Sequence, residues 1–529
     1  MSAATRNNSL SVKDSSTLGA PTVVAPKNRP VRGPKSPVEL PEIVPVIATL
    51  LTGDRNALQT CCRVSKVFYD AFTPVLWSDL VLFHGPHKLL AALPAVDKHA
   101  GLVHTLTFVG NFSNDYCFLE YPNLRSLVIL SDPDSTMDDG LPLGYTSLVK
   151  NHSNVLKSLK VYCRSLRRRP IFWEAVEKVK DLRHLDLTHV AFEGQDGATT
   201  FYNLGRNAKD ISLKMIKLTT RAVPFLSGAP SPSPWQDVHF EKVGCFQPMF
   251  YCLIQRIVQS PGLRSLVLLK ITNSDNHSEN FSLESLVEEV ERRRPCWPQL
   301  VRLHLQDCDL EDTQLETLLS SLDSCQIKDL NLAFTQFGPK AHAALIVNHS
   351  WNLRHLNLQK CKNVSSLMLH SILCSHARLV SIKGGKILAT DLLADERDWV
   401  CNELQVWDLE IYMDERDPDH CCQVFLRLSS LSHLRTLILN RGRATASAKG
   451  RSSLPFQTDL GLELLQSLTQ LEELHFDQRE ALEEDWDWIL DSFRRLKNIV
   501  APTDKTDEQR QEYLKRITQS NGRIQFCFF

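Results

Sequence analysis

QLVRLHLQDCDLEDTQLETLLSSLDSCQIKDLNLAFTQFGPKAHAALIVNHSWNLRHLNLQK (residues 299–360) carries one phrase three times. The phrase is an apolar residue, two variable residues, then Leu-x-Leu: Leu300, Leu303, Leu305; Ile327, Leu330, Leu332; Leu353, Leu356, Leu358. Side chains alternate along a strand, so both leucines of each Leu-x-Leu point the same way. Between the phrases the period changes. Leu315, Leu318, Leu319 and Leu322 fall at helical spacing. One short strand and one helix cannot cover their own apolar sides. Stacked copies can, and their strands then line up as a parallel sheet.

The phrase extends far beyond this stretch. Towards the N-terminus it starts at Leu102, Leu124, Leu156, Leu182, Ala208, Trp235 and Leu263, and towards the C-terminus at Leu379, Leu404, Leu434, Leu471 and Leu496. Most steps are 22 to 30 residues long, close to the spacing of leucine-rich repeats. The longer steps contain polar inserts, such as SDPDSTMDDG at 131–140, NSDNHSEN at 273–280 and RGRATASAKGRSS at 441–453. The expected fold is therefore α/β: a leucine-rich-repeat solenoid, a horseshoe with a parallel sheet on its concave face, over residues 81–529. Cys308 and Cys361 each follow a Leu-x-Leu by three residues. In this repeat class that place holds Asn or Cys, so the two thiols are read as part of a turn ladder rather than as a metal or redox pair. The variable strand positions should face outwards. They include Arg302, His304, Asp329, Asn331, His355 and Asn357, the candidate residues for holding a partner protein.

Composition narrows the function. The chain has 529 residues, 60 Lys+Arg and 61 Asp+Glu, for a net charge of −1. That balance excludes a whole-chain polycation, and no nucleic-acid partner is expected; the basic run RSLRRRP at 164–170 is read as a solvated loop. No apolar run is long enough for a membrane span, and the N-terminus has no apolar core of the kind secretion needs. The 15 cysteines are accordingly expected as thiols in the cytoplasm or nucleus. Phosphate-cradling loops, nucleophile elbows, His-Glu-x-x-His and Cys-x-x-Cys pairs are all missing, so neither catalysis nor a metal or other cofactor is expected. Trp486 and Trp488, in LEEDWDWIL at 482–490, are read as packing residues.

The N-terminal part reads differently. Residues 1–36 are polar and basic, too poor in apolar side chains to offset ordering entropy, and are expected to be disordered. From Leu40 the chain becomes apolar: LPEIVPVIATLLTGDRNALQTCCRVSKVFYDAFTPVLW, residues 40–77. Pro41 suits a first helical turn, and Ile43, Ile47, Leu50 and Leu51 fall on one helical face. Gly53 should end that helix, Asp54 cap a second, Ser65 cap a third, and Pro74 stop it.

This segment resembles an F-box, with Leu40-Pro41, Ile43, Ile47, Leu50, Leu58, Cys61, Val64-Ser65, Phe68 and Leu76-Trp77 as the points of likeness. Phe68 stands where that family usually has tryptophan, and Pro45 departs from its pattern. With F-box residues at 37–80 followed by repeats, the chain is similar to fungal F-box/leucine-rich-repeat proteins. The resemblance implies a substrate receptor of an SCF-type ubiquitin ligase, with the Skp adaptor and cullin scaffold as partners. Docking on the adaptor would fall to Leu40, Pro41, Ile43, Ile47, Leu50, Leu58, Val64 and Leu76, and an unknown substrate protein would lie on the repeats. The alternative is a non-catalytic repeat scaffold without a ligase role, in which the helices only cap the solenoid.

Overall fold

The computed structural model describes residues 42–83, 93–110, 114–130, 143–162, 170–206, 208–219, 233–273, 283–413, 417–439, 452–476, 483–501 and 524–528. The expected N-terminal tail, Leu40, Pro41, the basic run at 164–169 and most of the three polar inserts lie outside those residues. The chain divides into two compact units, one ending at Leu76 and one beginning at Trp77.

The first unit contains three helices: α1 (Ile43–Leu50), α2 (Arg55–Cys61) and α3 (Lys66–Ser78). Local chemistry sets their ends. Gly53 takes φ +100°, a left-handed turn open to glycine without strain. Asp54 Oδ1 accepts from the Ala57 amide at 3.0 Å and caps α2. Ser65 Oγ accepts from the Phe68 amide at 3.3 Å and caps α3. One expectation fails here: Pro74 does not stop α3, which runs on to Ser78. A proline inside a helix costs about 3 kcal/mol. The offset comes from packing of the next turn, because Val75 and Leu76 join the core of Val44, Ala48, Leu58, Phe68 and Phe72. The rings of Phe68 and Phe72 stack with centroids 5.3 Å apart.

The second unit is built on an 18-stranded sheet. Strands adjacent in the repeat series are adjacent in the sheet and run parallel, as from Ser158–Tyr162 to His184–Thr188 and from Asp329–Asn331 to His355–Asn357. The single exception among the described residues is the short strand Ser452–Ser453, which pairs antiparallel with Tyr412 and Met413. All fifteen phrases fall on strands. The sheet also gains a strand at each end, Asp79–Phe83 and Gln525–Phe528. The first of these carries Leu80 and Leu82, both buried, and places the start of the sheet two residues before the expected boundary at 81.

The leucines stack in register. Leu303 aligns with Leu330 and Leu356, and the column continues through Ile382, Trp407, Leu437, Leu474 and Ile499. All are buried. A buried Leu, Ile or Phe contributes about 1.5–3 kcal/mol relative to exposure, so the column is the main source of cohesion. Helices pack against the leucine side of the strands. The helix Asp312–Ser321 buries Leu315, Leu318 and Leu319 as their spacing predicts.

Two further devices lock repeat to repeat. The residue four positions after the first strand leucine takes a left-handed conformation in seven consecutive repeats: His189, Met215, Lys242, Lys270, Asp307, Phe334 and Lys360. Such φ values are uncommon outside glycine. From His189 to Phe334, each of these amides donates to a carbonyl of the following repeat at 2.8–3.1 Å, which continues the ladder beyond the strand. In the next repeat Gly384 and Gly385 take over, and a Cβ at Gly384 would stand 2.3 Å from the Gln359 backbone. The second device is the turn ladder. The Cys361 thiol donates to the Leu332 carbonyl at 3.0 Å and that of Cys308 to the Leu268 carbonyl at 3.5 Å, each one repeat back. Thr335 fills the same place between them and donates to Leu332 at 2.7 Å. The 13 described cysteines are all free thiols.

Candidate functional site

Two surfaces stand out. The first lies on the helical unit. Its interior uses Val44 and Ala48 of α1, so the neighbouring positions Ile43, Val46 and Leu50 point outwards. Leu50 is 78% exposed and Val64 64% exposed. Ile47 and Leu76 are half-buried. Leu58 is a different case. At 3% exposure it belongs to the core of the unit and not to its surface, because α2 turns this residue towards Phe68 and Phe72. Val46 and Val67 are exposed apolar residues that the sequence reading did not single out. Their signal was present, since both precede or follow a core position by two or fewer residues on a short helix, but spacing alone does not tell which of two apolar stripes turns inwards.

The second surface is the open face of the sheet, opposite the leucine column. Register aligns Ser158, His184, Asp210, Asp237, Ser265, Arg302, Asp329 and His355 in one row. Lys160, Asp186, Ser212, His239, Val267, His304, Asn331 and Asn357 form the next. The six residues expected on this face are therefore on it. They pair with one another and with the turns: Arg302 Nε lies 3.0 Å from Asp329 Oδ2, and His304 Nε2 lies 2.9 Å from Asp329 Oδ1. Desolvation would raise the Asp329 carboxyl, but the His304 and Arg302 bonds outweigh it and hold the carboxyl below its usual range. Asn331 Oδ1 accepts from the Ala333 amide at 3.1 Å, and Asn357 Oδ1 from the Gln359 amide at 3.1 Å. The two asparagines thus brace the turns as well as facing outwards.

A hollow on this face sits further towards the N-terminus than most of the six residues named from the sequence. It is an open depression of about 520 Å³ lined by residues from Ser158 to Arg302, and of the six expected residues only Arg302 lines it. Lys160 Nζ reaches Asp186 Oδ2 at 3.0 Å, and His184 pairs with Asp210. Asp237 lies within hydrogen-bonding reach of Asp210. Burial first, and then that neighbouring carboxylate, push the Asp237 carboxyl above its usual range. Burial also lowers His239, with Lys214 acting in the same direction. The missed residues occupy the variable positions of the same Leu-x-Leu phrases and could have been read from charge at those positions.

One cluster around the buried His370 brings a thiol, an imidazole and a carboxylate together. Cys374 Sγ lies 3.6 Å from His370 Nε2, and Asp395 Oδ2 lies 3.3 Å from the same nitrogen. Trp399 Nε1 donates to His370 Nδ1 at 3.2 Å. A nucleophilic triad needs the carboxylate on one ring nitrogen and the thiol on the other. Here both meet Nε2, and burial raises the Cys374 thiol instead of activating it. Asp395 is held instead by Arg397, with Nη2 at 2.6 Å, and its backbone carbonyl accepts from Arg427 Nη2 at 2.6 Å. The cluster ties the segment 395–399 to two helices. Among the described residues no group of three or more His, Cys, Asp or Glu side chains could hold a metal ion, and no described helix is long and apolar enough to cross a membrane.

No protein-family model and no curated protein matches the chain. Among solved structures it is similar to a leucine-rich-repeat protein of Leptospira interrogans, at 14% identity and a TM-score of 0.45, over 84% of this chain and all of that one. It is also similar to the yeast complex of Rad7 and Elc1, at 13% identity and a TM-score of 0.36, over 72% of this chain and 90% of that one. A third likeness is to the leucine-rich-repeat ectodomain of the Arabidopsis thaliana receptor kinase GASSHO1/SCHENGEN3 in complex with CASPARIAN STRIP INTEGRITY FACTOR 2, at 13% identity and a TM-score of 0.29, over 76% of this chain and 52% of that one. The chain's own evidence for a leucine-rich-repeat architecture is its repeated phrase and its parallel register.

Proposed function

We propose that the chain is a substrate-recognition subunit of an SCF-type ubiquitin ligase. In this reading the helical unit docks on the Skp adaptor, which joins it to the cullin scaffold, and the open face of the repeats holds a substrate protein. Ligation itself belongs to other subunits, and the receptor contributes by holding the substrate near the ubiquitin-charged enzyme. The observation that supports the reading best is the outward set Ile43, Val46, Leu50, Val64 and Val67 on a unit whose buried core is only five residues. A unit this small has little apolar surface to spare, and exposed apolar side chains grouped on it mark a surface for a partner. Ile47 and Leu76, both half-buried, and Leu40 and Pro41 belong to the same proposed set. Leu58 serves the set from inside, by holding α2 against α3.

Affinity purification of the full chain under proteasome inhibition tests the proposal. The intact chain should recover a Skp adaptor and a cullin, and the double variant Leu50→Asp, Val64→Asp should lose both while retaining its thermal transition. Equal recovery by the two would overturn the reading and leave a repeat scaffold without a ligase role.

A further inference from the structure

The open face is not uniform along the sheet. Its first three strands present Val81, Phe83, Val109 and Leu130, which are intermediate or exposed, with Phe83 65% exposed. Phe83 aligns with Val109 and Val109 with Leu130, so the patch is continuous across the strands. The character then changes. Asp186, Asp210 and Asp237 stand on three successive strands, and the last two are within hydrogen-bonding reach of each other. Two carboxylates side by side repel, and an ammonium or guanidinium group set between them relieves that repulsion.

We infer that the open face takes an extended peptide segment of the substrate bearing an apolar side chain and, about seven residues away, a lysine or arginine. The inference deepens the proposed reading of this face as the substrate surface and rests on it. The spacing follows from the sheet. The strand Thr105–Val109, at the centre of the apolar patch, is four strand intervals from Asp210–Lys214. Neighbouring strands are about 4.8 Å apart, which gives about 19 Å across the sheet. Val109 aligns with Lys214, four residues beyond Asp210, which adds about 13 Å along the strands. An extended chain advancing about 3.4 Å per residue covers the diagonal of about 23 Å in about seven residues. The apolar patch supplies burial and the carboxylate pair supplies sign. An acidic or phosphorylated segment would meet like charge at Asp210 and Asp237, whereas Lys160 and His184 are already engaged with Asp186 and Asp210.

Panning a library of random 12-residue displayed peptides on the purified full chain tests this. Recovered peptides should be enriched at least five-fold for Lys or Arg placed about six to eight positions from a large apolar residue. The Asp210→Asn, Asp237→Asn double variant should lose the basic enrichment and keep the apolar one. Glu291→Gln, which removes an exposed carboxylate from the helix Glu284–Arg292 outside this face, should keep both. Enrichment for Asp or Glu, absence of any enrichment, or an unchanged basic preference in the double variant would each overturn the inference. Adaptor recovery is read separately through the helical unit, so failure here leaves the ligase assignment to stand or fall on its own experiment.

Discussion

The helical unit and the repeats use apolar residues in opposite ways. In the repeats, the strand leucines from Leu303 to Leu474 are consumed by neighbouring repeats and are buried. In the helical unit, Ile43, Leu50 and Val64 are as apolar as any of them and remain at the surface. The contrast separates apolar residues that hold the fold together from apolar residues left at the surface. A solenoid covers its apolar side by adding copies of itself, whereas a three-helix unit of this size has no copy to add.

That contrast can be broken by substitution. The largest effect is expected from the column: Trp407→Ala or Leu330→Ala should cost about 3–5 kcal/mol of unfolding free energy, and Leu50→Ala less than about 0.5 kcal/mol, both read by denaturant titration. Equal losses would mean that Leu50 is a core residue. Gly384→Ala comes next. The new Cβ meets the Gln359 backbone and must adopt a positive φ, so a loss of at least about 2 kcal/mol is expected in the same assay.

The repeats should also carry a pH sensitivity absent from the helical unit, which has no histidine between residues 42 and 76. Burial lowers His376 from 6.5 to about 4, and burial lowers His342 and His349 as well. Below pH 6.5 the unfolded chain binds a proton at His376 that the folded chain refuses. Its stabilising contribution is therefore full above pH 6.5 and falls as the pH drops towards 4, by about 3 kcal/mol for His376. Thermal melts between pH 7.5 and 4.5 should show this fall, and His376→Gln should flatten it. A wild-type melt independent of pH would contradict the buried, neutral state of these rings.

The smallest effects sharpen the boundary of each unit. Asp312 Oδ1 and Oδ2 accept from the amides of Gly338, Lys340 and Ala341 and so cap the helix of the next repeat, and Asp312→Ala should cost about 1–2 kcal/mol. Removing the exposed Lys160 ammonium should change stability by no more than about 0.5 kcal/mol, despite its contact with Asp186.

The repeat architecture was legible because its signal is redundant: a Leu-x-Leu missed in one repeat is recovered from the next. Terminal strands have a neighbour on one side only, and their phrases are weaker. Asp79–Phe83 and Gln525–Phe528 were missed for that reason. Helix ends were legible where a cap residue marks them, as at Asp54 and Ser65. Pro74 was misread because a local rule yielded to packing by Val75 and Leu76. On α1, periodicity put Ile43, Ile47, Leu50 and Leu51 on one helical face but did not single out Val44 and Ala48, which the structure turns into the core while Ile43 and Leu50 stay exposed. Outward strand positions were correctly identified at Arg302 to Asn357. The hollow lies elsewhere because its position depends on which variable residues are large and how they pair across strands, which no single repeat encodes.

Hydrogen–deuterium exchange of the full chain, alone and with a purified Skp adaptor, tests the division of labour most directly. The account predicts slowed exchange over residues 43–67 on addition of the adaptor and unchanged exchange in the strands from Thr105 to Ile499. Protection confined to the repeat strands, or no protection over 43–67 at saturating adaptor, would contradict it.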